Sequence, residues 1–413
     1  MLEEAKRNQK SQKKTSRALR QLQRLGVEEV PKGWTLDEVG KACSIRNELR
    51  LPLSVDVRAS MQGEYPYYGP TGVLDLINEY RVEGDFALIG EDGDHFLDSI
   101  SKQQTIHICG KFNVNNHAHI IGETEACSVY WFVYFFQHRD ISHSLTRQGA
   151  GRYKLTKAAL EKLPILLPPL PEQRKIAAIL RTWDEATEKL GKLLASKVRY
   201  HSWLEWQIIG EKTARHDWTA TKLGDILIEC KARSAEHDEY PVLTSSRRGL
   251  FLQSEYFSKQ VTSSDNTGYK VVGRGDFTYR SMSDDGLFVF NRLLKHERGI
   301  ISPAYGVFRA KGANPAFLAH FLNSSYFAQL LARETQGGTR KALRFSALSE
   351  MVVDLPALSE QQRIASALDQ SNCEIELIKE QMEALSRQKR GLMQKLLTGE
   401  WRVEVETEKE AVA

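Results

Sequence analysis

Four residues in the first half of the chain have the types and spacing of a metal site. His107 and Cys109 are two positions apart, as are His117 and His119, and a β-strand places such alternate side chains on one face. Imidazole and thiolate groups are ligands that zinc prefers, so two such pairs on neighbouring strands could converge on one ion. The second half of the chain contains no matching set. We therefore favour packed or hydrogen-bonded strand residues and predict no metal site.

Motifs for catalysis are absent from the sequence. It contains no GxxxxGKS/T phosphate loop, no HExxH and no GxSxG. Leu167-Pro168-Pro169-Leu170 lacks the polar first residue of the tetrapeptide used by amino-methyltransferases. We predict no catalytic residues and no cofactor in this chain.

Two glycine-containing turns, each followed by cations, occupy matching places in the two halves. Glycine lets backbone N–H groups approach a phosphate, and lysine or arginine neutralises its charge. We predict phosphate contacts to DNA here; the alternative is a solvated turn with ordinary surface charges. The predicted phosphate contacts are Gln148, Gly149, Arg152 and Lys154 in the first half and Gln336, Gly337, Thr339, Arg340 and Lys341 in the second.

Polar, aromatic and arginine residues follow a shared Tyr-Pro pair in each half, at Tyr65-Pro66 and Tyr240-Pro241. Arginine suits guanine edges, asparagine suits adenine, and hydroxyl groups suit either. The alternative for any single residue is that it stabilises a turn. The predicted base contacts are Tyr67, Tyr68, Thr71, Asn115, Asn116 and His117 in the first half and Thr244, Ser245, Ser246, Arg247 and Arg248 in the second.

The elements that must position these residues come in two copies. Leu167–Leu180 reads LPPLPEQRKIAAIL and Leu355–Leu368 reads LPALSEQQRIASAL, which gives an offset of 355 − 167 = 188 residues. Trp34-Thr35 recurs as Trp218-Thr219 at an offset of 218 − 34 = 184, so loops inside the copies differ in length. The chain is therefore one unit repeated: a variable globular part, then a conserved segment.

Each conserved segment predicts a long helix. Pro171-Glu172-Gln173 and Ser359-Glu360-Gln361 are N-terminal helix signals, and proline is absent over about 38 following residues, which is about 57 Å of helix. Apolar residues at seven-residue spacing predict a coiled-coil seam; the alternative is an amphipathic helix packed on its own domain. The predicted seam comprises Ile176, Leu180, Trp183, Leu190, Leu194, Ile364, Leu368, Ile375, Ile378, Met382, Leu385 and Leu392.

The globular parts carry signals of both strands and helices. The predicted strands include residues 86–89, 105–109, 287–290 and 304–308, and the predicted helices are Ser128–His138 and Pro315–Ala332. The sequence thus predicts an α+β fold: two tandem mixed α/β recognition domains, each followed by a long helix, with the two helices packed as an antiparallel coiled coil. The predicted boundaries are a basic N-terminal arm at 1–29, recognition domain 1 at 30–166, the central helix at 167–212, recognition domain 2 at 213–354, the distal helix at 355–400 and a tail at 401–413.

Composition sets broad limits on partners and location. The formal charge of +4 permits nucleic-acid binding without arguing for it, because binding depends on where charges cluster. Five scattered cysteines without a CxxC pair are typical of reduced cytosolic thiols. No long apolar run predicts a membrane span, and the start is not a secretory signal. We expect a cytoplasmic protein that binds no membrane.

The doubled LPxLxEQxxIAxxL segment, together with Tyr67-Tyr68-Gly69-Pro70-Thr71-Gly72 and Gly299–Tyr305, resembles the specificity subunit of type I restriction–modification enzymes across nearly the whole chain. The resemblance implies a non-catalytic subunit that binds double-stranded DNA, with each variable domain reading half of a split site. It also implies docking of two methyltransferase subunits and of restriction (translocase) subunits. S-adenosylmethionine, ATP and Mg²⁺ would bind those partners. The basic N-terminal arm departs from this pattern.

Two other functions stay open on the residues alone. A scaffold with two protein-binding heads on a coiled coil would show no sequence-selective, salt-dependent DNA binding. A stand-alone DNA enzyme with an unrecognised site would modify or cut DNA when purified alone.

Overall fold

The computed structural model of the protein describes residues 20–148, 152–211, 216–256, 265–334 and 341–405. Two compact units divide the chain: Met1–Lys189 together with Met382–Ala413 form the first, and Leu190–Gln381 form the second. Each unit holds one globular domain and part of each long helix.

A six-stranded sheet is the centre of the first unit. Its strand order is β2-β7-β5-β6-β3-β4, and all neighbouring pairs are antiparallel except β3–β6. The strands of this unit are β1 (Thr35–Glu38), β2 (Ser44–Ile45), β3 (Gln62–Tyr68), β4 (Val73–Ile77), β5 (Val82–Gly90), β6 (Thr105–Val114), β7 (Ala118–Gly122), β8 (Thr146–Gln148), β9 (Arg152–Lys154) and β10 (Pro164–Leu167).

One short helix closes the core of the first unit. Its sequence, VYWFVYFF, is apolar on all sides, which is typical of a buried helix, and Trp131 and Phe132 are fully buried in it. Residues 20–25 are helical. The helices after them are α1 (Val39–Ala42), α2 (Val55–Ser60), this buried helix α3 (Val129–Phe136), α4 (Lys157–Glu161) and the long α5 (Leu170–Glu205), which a π-helical turn follows at Trp206–Gly210. Three 3-10 helices lie at Asn47–Leu49, Asp94–Asp98 and Ser142–Ser144.

The second unit is built around a four-stranded sheet of order β12-β20-β16-β18, with smaller pairs β13–β14, β15–β19 and β17–β21. Its strands are β11 (Thr219–Lys222), β12 (Leu227–Glu229), β13 (Leu243–Ser246), β14 (Gly249–Leu252), β15 (Lys270–Gly273), β16 (Phe277–Arg280), β17 (Met282–Ser283), β18 (Asn291–Arg292), β19 (Arg298–Ile301), β20 (Tyr305–Ala310), β21 (Lys341–Ala342) and β22 (Val352–Leu355). Its helices are α6 (Leu223–Ile226), α7 (Gln253–Tyr256), α8 (Pro315–Asn323), α9 (Ser325–Glu334), α10 (Phe345–Glu350) and the long α11 (Leu358–Leu397).

Two predicted elements of this unit differ from the structure. Residues 287–290 are not a strand but an irregular segment before β18. The predicted helix Pro315–Ala332 is two helices, because Ser324 ends the first and its Oγ accepts the backbone N–H of Phe327 at the start of the second.

The sequence repeat is also a repeat of structure. In the first unit β1 pairs antiparallel with β10, with Thr35 opposite Leu167; in the second β11 pairs antiparallel with β22, with Thr219 opposite Leu355. Each pair joins the first strand of a globular domain to the strand that leads into a long helix. Both long helices therefore start from the same two-stranded support.

The long helices run antiparallel within each unit. In the first, the Lys389 ammonium bonds to the Asp184 carboxylate, and Met393 and Leu396 share a core with Ile176. In the second, Lys197 Nζ lies 2.6 Å from an oxygen of Glu374, and Ile364 and Leu368 share a core with Leu204. Residue numbers rise along α5 as those of its partners in α11 fall. This confirms the predicted fold class.

Among the described residues, no helix combines the length and apolar composition that a bilayer crossing requires.

Candidate nucleic-acid interface

A buried glutamine fixes the start of α5 to the first globular domain. Gln173 accepts the backbone N–H of Ser128 at 2.9 Å and donates to the carbonyl oxygens of Ala126 and Pro168. Ser128 is also the N-cap of α3. One side chain therefore joins the N-terminal ends of two helices, which defines the angle at which α5 leaves the domain.

We call this set of hydrogen bonds from one buried glutamine the clamp, and the second copy repeats it. Gln361 accepts the backbone N–H of Asn314, the N-cap of α8, at 2.8 Å and donates to the carbonyl oxygen of Pro356. Gln173 is 0% and Gln361 5% exposed, so their hydrogen bonds cannot be exchanged for water without cost. The Gln of the repeated Glu-Gln pair is therefore a positioning residue, and each domain is presented to its helix in the same way.

The neighbouring glutamate is used differently in the two copies. Glu172 accepts Trp34 Nε1 at 3.1 Å and two donors of Arg402, at 2.8 and 2.9 Å, so the C-terminal segment packs back on the first domain. Glu360 instead pairs with Arg363 on its own helix. Among the described residues, the segment that follows α11 therefore contacts the Glu172 of the first copy and not the Glu360 of the second.

The predicted contacts of domain 1 gather at one end of the six-stranded sheet, which we call the loop end. Strands β3 and β6 run parallel and finish there, at Tyr68 and Val114, and the residue after β5, Glu91, is joined to the same place by the turn that follows β6. The β6–β7 turn joins β3 through the bond from Asn115 N to Tyr68 O, at 2.9 Å. Glu91 N donates to His117 O at 2.7 Å in the same turn. Residues far apart in sequence thus share one surface.

Three of the predicted base contacts at the loop end lie in reach of a ligand. Thr71 is exposed in the loop between β3 and β4, and Asn116 and His117 are exposed in the β6–β7 turn. His117 Nδ1 lies 2.8 Å from an Asp92 oxygen. Tyr68 is half-buried, and burial raises the pKa of its phenol.

The structure gives Tyr67 and Asn115 internal roles instead. Tyr67 is fully buried, and its hydroxyl donates to Leu51 O at 2.7 Å and accepts Leu53 N–H at 3.0 Å. Asn115 is 6% exposed, and its side-chain oxygen accepts the backbone N–H of His117. The prediction that these two residues contact bases is therefore corrected. Tyr67 stabilises the segment of Leu51 and Leu53, and Asn115 stabilises the turn that contains His117.

Lys154 is likewise engaged within the protein. Its ammonium lies 3.0 Å from Glu91 and 3.8 Å from Asp92, and the hydrogen bond to Glu91 raises the pKa of Lys154. Arg50 binds the other oxygen of Glu91 at 2.7 Å. These ion pairs fix the β8–β9 hairpin to the loop end, and the phosphate contact of Lys154 stays a prediction.

His119 completes this network as a neutral imidazole. Its Nδ1 accepts from Arg50 at 2.6 Å and Asn47 at 2.9 Å, so its Nε2 carries the hydrogen and donates to Leu155 O at 2.7 Å. Burial lowers the pKa of His119, and the nearby Arg50 charge acts in the same direction. His119 is thus unavailable as a metal ligand.

The predicted base contacts of domain 2 line a cleft of about 420 Å³, which we call the arginine cleft. Arg247 and Arg248 enter it from the β13–β14 turn, and Arg280 enters from β16. The other lining residues are Thr244, Ser245, Ser246, Tyr256, Met282, Ser283, Asp284, Leu287, Phe288, Val289 and Tyr305. Arginine with hydroxyl and aromatic groups is a combination suited to nucleic acid.

Arg247 is held in place by Asp285. One terminal nitrogen of Arg247 donates to both Asp285 oxygens, at 2.7 and 2.6 Å. Arg247 lowers the pKa of that carboxyl group to about 2, with help from the Leu287 N–H and the Ser283 hydroxyl. Since guanidinium has five N–H donors, this anchor leaves others for a base edge.

Three residues of β13 that carry hydroxyl groups, Thr244, Ser245 and Ser246, precede Arg247. Thr244 and Ser245 are 6% and 7% exposed, and Ser245 Oγ accepts from Asn291 Nδ2 at 2.8 Å. Ser246 Oγ accepts the backbone N–H of Arg248 at 3.1 Å. Arg247 and Arg248 are therefore the exposed side chains of this group, at a turn that their neighbours stabilise.

The predicted phosphate contacts of the glycine-containing turns are described only in part. Gln148 and Arg152 lie in β8 and β9, and Lys341 lies in β21, which pairs with β17 at the edge of the arginine cleft. The predicted contacts Gly149, Gln336, Gly337, Thr339 and Arg340 lie outside the described residues.

Sequence reasoning missed Arg280, Tyr256 and Tyr305 in the arginine cleft. The antiparallel register of β16 and β20 places Arg280 opposite Tyr305. Long-range strand pairing brings Arg280 and Tyr305 to the cleft, so no local pattern marks them, whereas Tyr256 lies in α7, directly after the β13–β14 hairpin.

All predicted seam residues of the long helices are buried or half-buried. Ile176 and Leu180 belong to the core of the first unit, and Ile364 and Leu368 belong to the core of the second. Ile375 and Ile378 are also buried, while the others are half-buried, namely Trp183, Leu190, Leu194, Met382, Leu385 and Leu392.

A family model described as the type I restriction modification DNA specificity domain matches the chain twice, at residues 31–195 and 216–387. The chain belongs to this family. As a specificity subunit, it is the non-catalytic, DNA-recognising component of a type I restriction–modification system. The two matches cover both globular domains and most of both long helices, so the repeat seen in the residues is the family's own unit.

Two curated relatives agree with this assignment, and a solved structure shares the fold. A protein of Haemophilus influenzae assigned as a type I restriction enzyme specificity subunit is 28% identical over 368 residues, 81% of this chain and 86% of its own. The MjaVIII specificity subunit of Methanocaldococcus jannaschii is 22% identical over 416 residues, covering 91% and 94%. The S subunit of M. genitalium shares the fold with a TM-score of 0.59 at 12% identity, over 89% of this chain and 99% of that one.

Proposed function

We propose that this specificity subunit reads a bipartite site in double-stranded DNA, with one half-site for each recognition domain. The observation that carries the proposal is the repeated clamp: Gln173 and Gln361 attach the two domains to their helices through the same bonds. The surfaces presented differ, since one is the loop end and the other is the arginine cleft. A repeated support with different surfaces fits recognition of two different half-sites.

Sequence selection and affinity come from different groups in this proposal. Base edges are read by exposed residues of the loop end, such as Thr71 and Asn116, and by the arginines of the cleft. Backbone phosphates are bound by the glycine-containing turns and the cations beside them, which remain predictions on residues such as Arg340.

The chain works with other subunits in this proposal. Two methyltransferase subunits and the restriction (translocase) subunits dock on it, and they bind S-adenosylmethionine, ATP and Mg²⁺. Tyr200 and Trp203 on α5, and Trp206 in the π-helical turn that follows it, are about half exposed. Exposed aromatic residues are frequent anchors of protein interfaces. The proposed location is the cytoplasm, where the DNA and these partners meet.

Selection from a randomised DNA library tests the proposal. The chain assembled with its methyltransferase partners is expected to enrich two short fixed sequences separated by unspecified base pairs, with affinity that falls as salt rises. Enrichment of one continuous sequence would contradict the assignment of one half-site to each domain. Binding without any sequence preference would contradict DNA reading altogether.

A further inference from the structure

Three potential metal ligands converge on one face of β5 and β6 in the first unit. Asp85 and Cys109 are opposite each other in the antiparallel register, and His107 lies two residues before Cys109 on the same strand. Alternate residues share a face, so all three side chains leave the sheet on the same side. One ligand atom from each lies within 4.8 Å of those of the other two.

The imidazole of this group is already oriented. His107 Nε2 lies 2.5 Å from Oδ1 of Asp85, and the His107 ring stacks on Tyr130 with centroids 4.2 Å apart and planes 25° apart. The stacking fixes the ring plane, and the carboxylate lies where a cation would be shared between oxygen and nitrogen. For both atoms to bind one Zn²⁺ ion at about 2.0–2.2 Å in a tetrahedral site, they must move apart to about 3.3 Å. The Asp85 side chain is exposed and can make this movement by rotation.

The ligands are also accessible. The Asp85 side chain is 61% and the His107 side chain 22% exposed, and Cys109 is an exposed free cysteine. An ion can therefore enter from solvent without opening the fold, and one coordination position stays open.

The donor set selects the kind of ion. Thiolate, imidazole and carboxylate together are ligands of Zn²⁺, which takes four ligands in tetrahedral sites, whereas Mg²⁺ and Ca²⁺ prefer oxygen alone. We propose that Asp85, His107 and Cys109 bind one Zn²⁺ ion, with the fourth position open to water or to an incoming ligand. Binding releases the thiol proton of Cys109 to solvent, because the thiolate is the ligand.

This site differs from the four-residue set that the spacing in sequence suggests. His117 and His119 are engaged with Asp92 and Leu155 at the loop end, so they do not join His107 and Cys109. The third ligand is Asp85, which strand pairing supplies and sequence spacing does not show.

Titration of the full chain with Co²⁺, a spectroscopic substitute for Zn²⁺, tests the proposal. We expect visible bands of tetrahedral cobalt and a thiolate charge-transfer band, both saturating at one equivalent and displaced by Zn²⁺. Cys109→Ser should abolish the charge-transfer band, and His107→Ala should weaken binding at least about tenfold, since even residues behind metal ligands matter that much.

Cys373→Ser is the matched control, because Cys373 is also an exposed free cysteine but lies on α11. It should leave the titration unchanged. Melting with EDTA checks that each variant is folded, and Zn²⁺ should raise the melting temperature of the wild type but not of Cys109→Ser. Absence of cobalt bands in the folded wild type, or a thiolate charge-transfer band that is still present in Cys109→Ser, would overturn the proposal.

Discussion

At the scale of single residues, burial separates side chains that can read DNA from those that support the readers. Tyr67 and Arg247 follow the same kind of Tyr-Pro pair in sequence, yet Tyr67 is fully buried and Arg247 is exposed. The residue types that suit base edges could be recognised from sequence. Which of them reach solvent depends on strand pairing, as for Tyr67 on β3 between β6 and β4.

Replacing Arg247 with alanine should relax selection at one half-site. Arg247 is held by Asp285 at the mouth of the arginine cleft, and loss of a good arginine–base contact costs about 1–3 kcal/mol of discrimination. Binding to DNA that varies at each position of the half-site measures this. Arg274→Ala is the control, since Arg274 is an exposed arginine paired with Glu297 and is not part of the cleft lining. Equal loss of affinity for all sequences would instead indicate a phosphate contact.

Replacing Tyr67 with phenylalanine should lower stability and leave sequence selection unchanged. The hydroxyl bonds to Leu51 and Leu53, and the loss of buried hydrogen bonds costs about 1–3 kcal/mol. Denaturant unfolding gives the stability, and selection from a DNA library gives the specificity. A changed recognition sequence without loss of stability would contradict this structural role and indicate that Tyr67 contacts bases.

At the scale of elements, local patterns predicted the long helices well and the irregular parts poorly. The seven-residue spacing and the lack of proline gave α5 and α11 to within a few residues, because these signals are local. The division between α8 and α9 was missed because it depends on Ser324, whose hydroxyl caps a new helix. The clamp could not be predicted from the sequence either. Gln173 is recognisable as a repeated residue, but its hydrogen-bond partner Ser128 is 45 residues away.

Gln361→Ala should destabilise the second unit. The substitution leaves the buried N–H of Asn314 and the carbonyl of Pro356 without this partner, at a cost of about 1–3 kcal/mol for each unsatisfied group. Thermal unfolding of the full chain measures the effect. Gln394→Ala, on an exposed position of α11, should change the melting temperature little. Similar melting of both variants would show that the clamp contributes nothing.

At the scale of the whole molecule, the repeat was the most informative feature of the sequence. The offset of 188 residues is constant from Leu167 to Leu180, and the structure shows why: this stretch holds the strand, clamp and helix start common to both copies. The recognition surface of one copy could not be used to predict that of the other. The loops between β1 and β10 differ in length from the loops between β11 and β22.

Lengthening both long helices should lengthen the gap between half-sites. Seven residues inserted after Leu190 and seven after Gln381 keep the seam in frame and add about 10.5 Å of helix, or about three base pairs. The recognised gap is read by selection from a DNA library. Four-residue insertions, which put the seam out of frame, serve as the comparison. An unchanged gap in a folded seven-residue variant would contradict a role of the helices in spacing.

Exchange of one recognition domain is the most direct test of two independent readers. Residues 213–354 would be replaced by the corresponding domain of another specificity subunit, with α5, α11 and the partner subunits unchanged, and the methylated sequence would be determined. We predict that one half of the sequence changes to that of the donor and that the other half is retained. An unchanged sequence, or a change in both halves, would contradict the assignment of one half-site to each domain.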